Sequence, residues 1–185
     1  MIKRRGDTMD FLNNFLGENY GPGIYEILLR MGLTAFFVGI IGLERQMRHK
    51  IAGITTHLMV AFAAAAIAIL QDALYFAAIQ DAINLGVEVQ IQRQRVIAQV
   101  ITGVGFLGAG TILKTRNGIY GLTTASTLFL SAMIGLIFGM GHYVLGIVLS
   151  LFAFLFLTVF RKILGITSLK HQESPNIIGS EKVDD

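Results

Sequence analysis

The residues able to do chemistry in this chain are few, and most lie within or at the edges of apolar stretches. Asp72 and His57 stand in one such stretch, Glu26 and Arg30 in the one before it, and Glu44 and Arg45 at its end. Lipid makes an ionised side chain costly, so such residues mark either a buried ion pair or a path for ions or protons. His57, Ala61, Ala64, Ala68 and Asp72 share one face at helical spacing. The 15 residues from His57 to Asp72 amount to about 22 Å of helix, so the two form no direct dyad. The orientation of the spans set out below groups Glu44, Arg45 and His57 with Lys114 and Arg116 at the cytoplasmic side, and Glu26, Arg30, Asp72, Arg93 and Arg95 at the outer side. Asp72 admits two readings: a salt bridge to Arg30 or Arg95, or a carboxylate that binds a cation or carries a proton. A magnesium site normally gathers more than one carboxylate around a hydrated ion, and these stretches supply few. His49 and His57 lack the i, i+4 spacing of a metal pair, and no nucleophile stands with a base, so an enzyme is not expected.

Gly103-Val104-Gly105-Phe106-Leu107-Gly108 matches a dinucleotide-binding fingerprint letter for letter. That fingerprint needs a preceding strand, a βαβ unit and an acidic residue about 20 positions later. Here the surroundings are apolar and the next acid is Glu173, so no nucleotide is expected, nor any other cofactor. Read as helix, Ala98, Thr102, Gly105 and Ala109 form a small-residue face, and Gly103 and Gly110 line another. Such faces let helices approach closely, while so many glycines also permit a functional break in the helix. Further on, Thr123, Thr124, Thr127, Ser131 and Gly135 fall within an arc of about 120°. This stripe reads as a hydroxyl-bonded helix interface, with the lining of a hydrophilic path as the alternative.

The elements that must position these groups are membrane spans. Of 185 residues 54% are hydrophobic and only 15% charged, with a mean hydropathy of +0.64. No Asp or Glu occurs between Glu88 and Glu173, a stretch that suits lipid as solvent. The net charge of +3 could suggest nucleic acid, but the basic residues sit in short groups at the ends of apolar runs, so that partner is not expected. Zero cysteines exclude disulfides. Acidic Asp7, Asp10 and Glu18 interrupt the segment after Lys3, Arg4 and Arg5, so no cleaved signal is expected. A span takes about 20 apolar residues. The expected spans are Ile24–Leu43, Ile54–Ile79, Ala98–Leu113, Ile119–Met140 and His142–Phe160, with Tyr75–Gln94 as a surface linker. The fold class is therefore all-α and polytopic, with about five transmembrane helices. Basic residues at Arg45, Arg48, Lys50, Lys114, Arg116, Arg161 and Lys162 place the N-terminus outside and the C-terminus in the cytoplasm. The chain divides into an extracytoplasmic segment 1–23, a membrane domain 24–161 and a short, disordered cytoplasmic tail 162–185.

Taken together, these segments resemble the membrane domain of the MgtC/SapB family. The resemblance is carried by Gly42-Leu43-Glu44-Arg45-Gln46, Ala52-Gly53-Ile54-Thr55-Thr56-His57 and Arg95-Val96-Ile97-Ala98-Gln99. It continues through Gly103 to Gly110, including Gly105 and Gly108, through Gly121-Leu122-Thr123-Thr124-Ala125, and into Gly135, Gly139 and Gly141. It runs in order from about Ile24 to Phe160. The sequence departs from the family pattern at Thr55, where a basic residue is usual, near Gln92, where an Asp is usual, and at Phe129, where a Trp is common. The cytoplasmic α/β domain that many members carry after the membrane region has no counterpart in this sequence.

The resemblance implies a bacterial inner-membrane protein linked to adaptation to low magnesium or acid stress, and to virulence in some bacteria. It implies action on other membrane proteins, ATP synthase and transporters among them. The expected partners are thus membrane lipids, other membrane proteins and further copies of this chain. The first expectation is a non-enzymatic regulator working through small-residue helix faces. The second is a transporter or channel for a small ion such as Mg²⁺, using Asp72, His57 and the hydroxyl stripe of Thr123, Thr124, Thr127 and Ser131.

Overall fold

The computed structural model describes residues 22–87, 94–116 and 118–160. Helix α1 runs over Ile24–Met47, α2 over Ile54–Leu85 and α3 over Gln94–Gly110. A small antiparallel hairpin follows, β1 (Leu113–Thr115) paired with β2 (Gly118–Tyr120), in the register Leu113 opposite Tyr120. Helix α4 covers Leu122–Gly139 and α5 covers Tyr143–Leu155, continued by a π-helical turn at Phe156–Phe160. The described chain is mostly helical, as expected for an all-α membrane protein.

Three of these helices, α1, α2 and α4, are long and apolar enough to cross a membrane, and Tyr143–Thr158 is a shorter apolar helix. The second expected span is longer than its sequence suggests. Tyr75–Leu85, read above as the start of a surface linker, continues α2 without a break, because no Gly or Pro interrupts good helix formers there. Gly86 ends the helix in the left-handed conformation at φ 65°, and the Val87 amide closes back on the Ala82 carbonyl. The rest of that linker, and the tail 162–185, lie outside the described residues. The third span starts at Gln94 and stops at Gly110, and the fourth begins at Leu122, because the hairpin takes up the residues between. Gly121 makes that join possible: its φ of 87° suits glycine, and an added Cβ would collide with the Thr111 carbonyl.

Helix α4 is the centre of the bundle. It is buried along most of its length and packs against every other helix. One core cluster joins Val38, Ile41, Ala61, Ile134 and Phe138, with Phe37 stacked on Phe138 at 5.5 Å. A second joins Ala64, Ala68, Val100, Ala132 and Leu136. The closest helix approach is between α4 and α2. A Cβ on Gly139 would stand 2.6 Å from the Ala65 carbonyl oxygen, and one on Gly135 would overlap that of Ala61. The outside of the bundle is apolar: Phe106, Val144, Phe152, Leu28 and Leu70 are all exposed. Large exposed side chains covering a whole bundle are what a lipid solvent permits and water does not.

Candidate functional site

The buried polar groups gather in two places, one just past the middle of α2 and one at its start. The first centres on Arg30. Its Nη1 lies 3.0 Å from Asp72 Oδ2 and also bonds the Gly139 carbonyl. Its Nη2 and Nε reach Glu26 Oε1 at 2.6 and 3.2 Å. Tyr143 Oη stands 3.4 Å from the same carboxylate oxygen. The Arg30 and Asp72 side chains are only 8% and 12% exposed, whereas Glu26 is 44% exposed. Helix α1 supplies Glu26 and Arg30 one turn apart, α2 supplies Asp72, and the turn ending α4 supplies the carbonyl. One guanidinium thus ties three helices at one end of the bundle.

The second place lies where α1 meets α2 and the start of α4. Arg45 is fully buried and its Nε bonds Glu44 Oε2 at 2.6 Å, while Arg48 pairs with the other oxygen of Glu44. Among the described residues, Arg45 Nη1 and Nη2 and the Ser131 hydroxyl have no hydrogen-bond partner. His57 is also fully buried. Its Nδ1 stands 2.8 Å from the Gly53 carbonyl, which only accepts, so Nδ1 carries a proton. Its Nε2 lies 3.2 Å from Thr127 Oγ1, which is itself 3.0 Å from the Thr124 carbonyl. The Thr127 hydroxyl can therefore donate to a neutral imidazole, or accept from a charged one while donating to Thr124.

The joint between α1 and α2 explains the Gly42–Gln46 and Ala52–His57 motifs. The Gln46 side-chain oxygen accepts the Ile54 amide at 3.3 Å and so caps α2 from outside. Gly42 lets the helices meet, since a Cβ there would lie 2.6 Å from Ile54 Cα. Gly53 is the residue preceding α2, and a Cβ on it would press on Gln46.

A scan against family models gives the MgtC family over residues 31–165. The chain belongs to the MgtC family. It is 41% identical over 138 residues to a protein of Escherichia coli strain K12 named "Putative magnesium transporter YhiD", covering 75% of this chain and 62% of that one. "Protein MgtC" of Brucella abortus is 39% identical over 103 residues, 56% of this chain and 38% of its own. "Protein MgtC" of Salmonella typhimurium is 37% identical over 122 residues, 66% of this chain and 45% of its own. The chain thus spans less than two thirds of the length of these relatives. No solved structure matches it.

Within this MgtC-family fold, the sequence groupings divide as follows. Asp72 is paired with Arg30, while Arg95 is exposed and makes no ion pair among the described residues. Arg93 lies outside the described residues. Glu44, Arg45 and His57 do cluster, but Lys114 and Arg116 are exposed on the hairpin, with no ion pair to Glu44 among the described residues. The hydroxyl stripe splits: Thr124, Thr127 and Ser131 are buried against the neighbouring helices, and Thr123 is exposed. Helix α3 is continuous, without the break its glycines would permit. Its small residues are also less packed than their pattern suggests. A Cβ on Gly103, Gly105 or Gly110 would meet nothing within 4 Å, and only Gly108 touches a neighbour, Ala125 at 3.7 Å. Gln99 is exposed as well. Sequence reasoning did not find the Gly139 carbonyl as a partner of Arg30, nor Thr34, buried with its hydroxyl on the Arg30 carbonyl at 2.8 Å. A threonine four residues after a buried arginine was the available signal. Among the described residues no three His, Asp or Glu side chains converge as a metal site would require.

Proposed function

We propose that this protein is a non-enzymatic regulator in the bacterial inner membrane, acting on other membrane proteins during adaptation to low magnesium or acid stress. It crosses the membrane about five times, with the N-terminus outside and the C-terminal end in the cytoplasm. Arg45, Arg48 and the hairpin residues Lys114 and Arg116 lie toward one end of the bundle, which supports that orientation. The magnesium link rests on the family and on the name of the K12 relative.

One observation carries the choice of regulator over transporter. Asp72, the best candidate for an ion-binding carboxylate, is held by Arg30 in a buried pair rather than presented to a path. The hydroxyls that could line such a path are turned largely into the helix interface. By contrast, the α3 face of Ala98, Thr102, Gly105 and Ala109 is exposed, a small-residue surface suited to a helix of another membrane protein or of a second copy.

The test has two arms. Purified protein in liposomes loaded with a magnesium-sensitive dye should give no flux above empty liposomes. A strain lacking the gene should grow poorly at low magnesium, be restored by the wild type, and not be restored by Gly105→Leu expressed at the same level. Magnesium flux by the wild type that is lost in Asp72→Asn would establish the transporter instead.

A further inference from the structure

An apolar groove of about 500 Å³ runs between α2 and α3, walled by Val60 and Ile67 on one side and by Val100, Gly103 and Leu107 on the other. Arg95 is the single charged residue in its lining and stands at one end. The groove occupies the side of α3 roughly opposite Gly105 at about 100° per residue, so it is independent of the partner face proposed above.

Its dimensions select an occupant. From Arg95 to Leu107 the helix rises about 18 Å, close to the ~15 Å that half of a ~30 Å hydrocarbon core measures. Over that length the groove is long and shallow, and it opens on the apolar outside of the bundle, where Ile67 and Leu107 are exposed. A hydrocarbon chain matches that length and that apolar lining. The charge points the same way. Arg30, Arg45 and Arg48 are each committed to carboxylates, but Arg95 is exposed and makes no ion pair among the described residues. Its forked donors match a phosphate diester, and Gln99, exposed one turn along the same wall, can donate beside it.

We infer that this groove binds one acyl chain of an anionic phospholipid, with the lipid phosphate held by Arg95. The chain lies along Gly103, where the absent side chain leaves room, and reaches Leu107 near the bilayer midplane. The lipid fills the gap between α2 and α3, whose direct contact is otherwise slight.

Native mass spectrometry on protein equilibrated with equal amounts of phosphatidylglycerol and phosphatidylcholine tests this. The wild type should retain the anionic lipid about tenfold more, a difference of ~1.4 kcal/mol. Arg95→Gln should erase that preference while still retaining lipid. Gly103→Leu, and separately Ala63→Leu on the facing wall, should lose retained lipid of both kinds, with circular dichroism verifying the fold. Equal retention of the two lipids by the wild type, or an unchanged preference in Arg95→Gln, overturns the assignment. So does a disulfide-linked dimer formed in membranes by Gln99→Cys, since the chain has no other cysteine and such a bond would place a second copy over the groove.

Discussion

Asp72→Ala is the perturbation that most directly probes the Arg30 tie. Unit charges 3.0 Å apart attract by about 5.5 kcal/mol at an effective dielectric of ~20, and the cost of taking both from solvent offsets much of it. Removing one partner of such a buried pair costs about 3–5 kcal/mol, because the remaining charge stays buried and uncompensated. Glu26 still touches Arg30 after the change, although at 44% exposure its own help is screened. The expected loss is therefore near the lower end, about 3 kcal/mol. Asp72→Asn keeps an oxygen for Nη1 and should lose about half as much. The double variant Arg30→Met/Asp72→Leu removes both charges together and should recover most of the loss, as apolar replacement of a whole pair commonly does. Reversible unfolding in mixed micelles, followed by circular dichroism, measures all of these. If the costs of Arg30→Met and Asp72→Leu, each measured alone, simply add in the double variant to within about 0.5 kcal/mol, Arg30 and Asp72 are not coupled and Asp72 is open to an ion.

Two further expectations use the same assay. Gly135→Ala should destabilise by at least about 1–3 kcal/mol, because its Cβ would overlap the Ala61 carbonyl and force α2 from α4. Gly103→Ala meets nothing within 4 Å and should be neutral or stabilising by up to about 1 kcal/mol through helix propensity, so equal losses at the two positions would contradict the packing described. Thr127→Val leaves His57 Nε2 without its hydroxyl partner and should cost about 1–3 kcal/mol, whereas exposed Thr123→Val should stay within about 0.5 kcal/mol. A stripe whose members respond alike would be a uniform surface and not a packed interface.

Much of the membrane domain is legible in the residues alone. Apolar length and the scarcity of charge announce the helices, and the set of motifs from Gly42 to Gly141 announces the family. The end of α2 is less legible: Tyr75–Leu85 is amphiphilic enough to read as a linker, and only Gly86 marks the true stop. The hairpin between α3 and α4 escapes because Ile112, Leu113 and Ile119 are as apolar as the spans they join, so hydropathy cannot separate a short strand from the end of a helix.

What the sequence determined by itself is the solvent. A chain with no acidic residue from 89 to 172 and apolar runs of span length can fold only in lipid, and every ionisable group left inside must find a partner. Which partner was a matter for the tertiary structure. The sequence leaves Arg30 and Arg95 both open as partners of Asp72, because pairing across 42 positions depends on how α1 and α2 cross and not on either segment's own pattern. The glycines divide in the same way. Periodicity puts small residues on faces of α3 and α4 alike, but only the packing decides that Gly135 and Gly139 are spent on contact with α2 while Gly103 and Gly105 are left open. A missing side chain permits close approach, and the neighbour that arrives is chosen by the whole bundle.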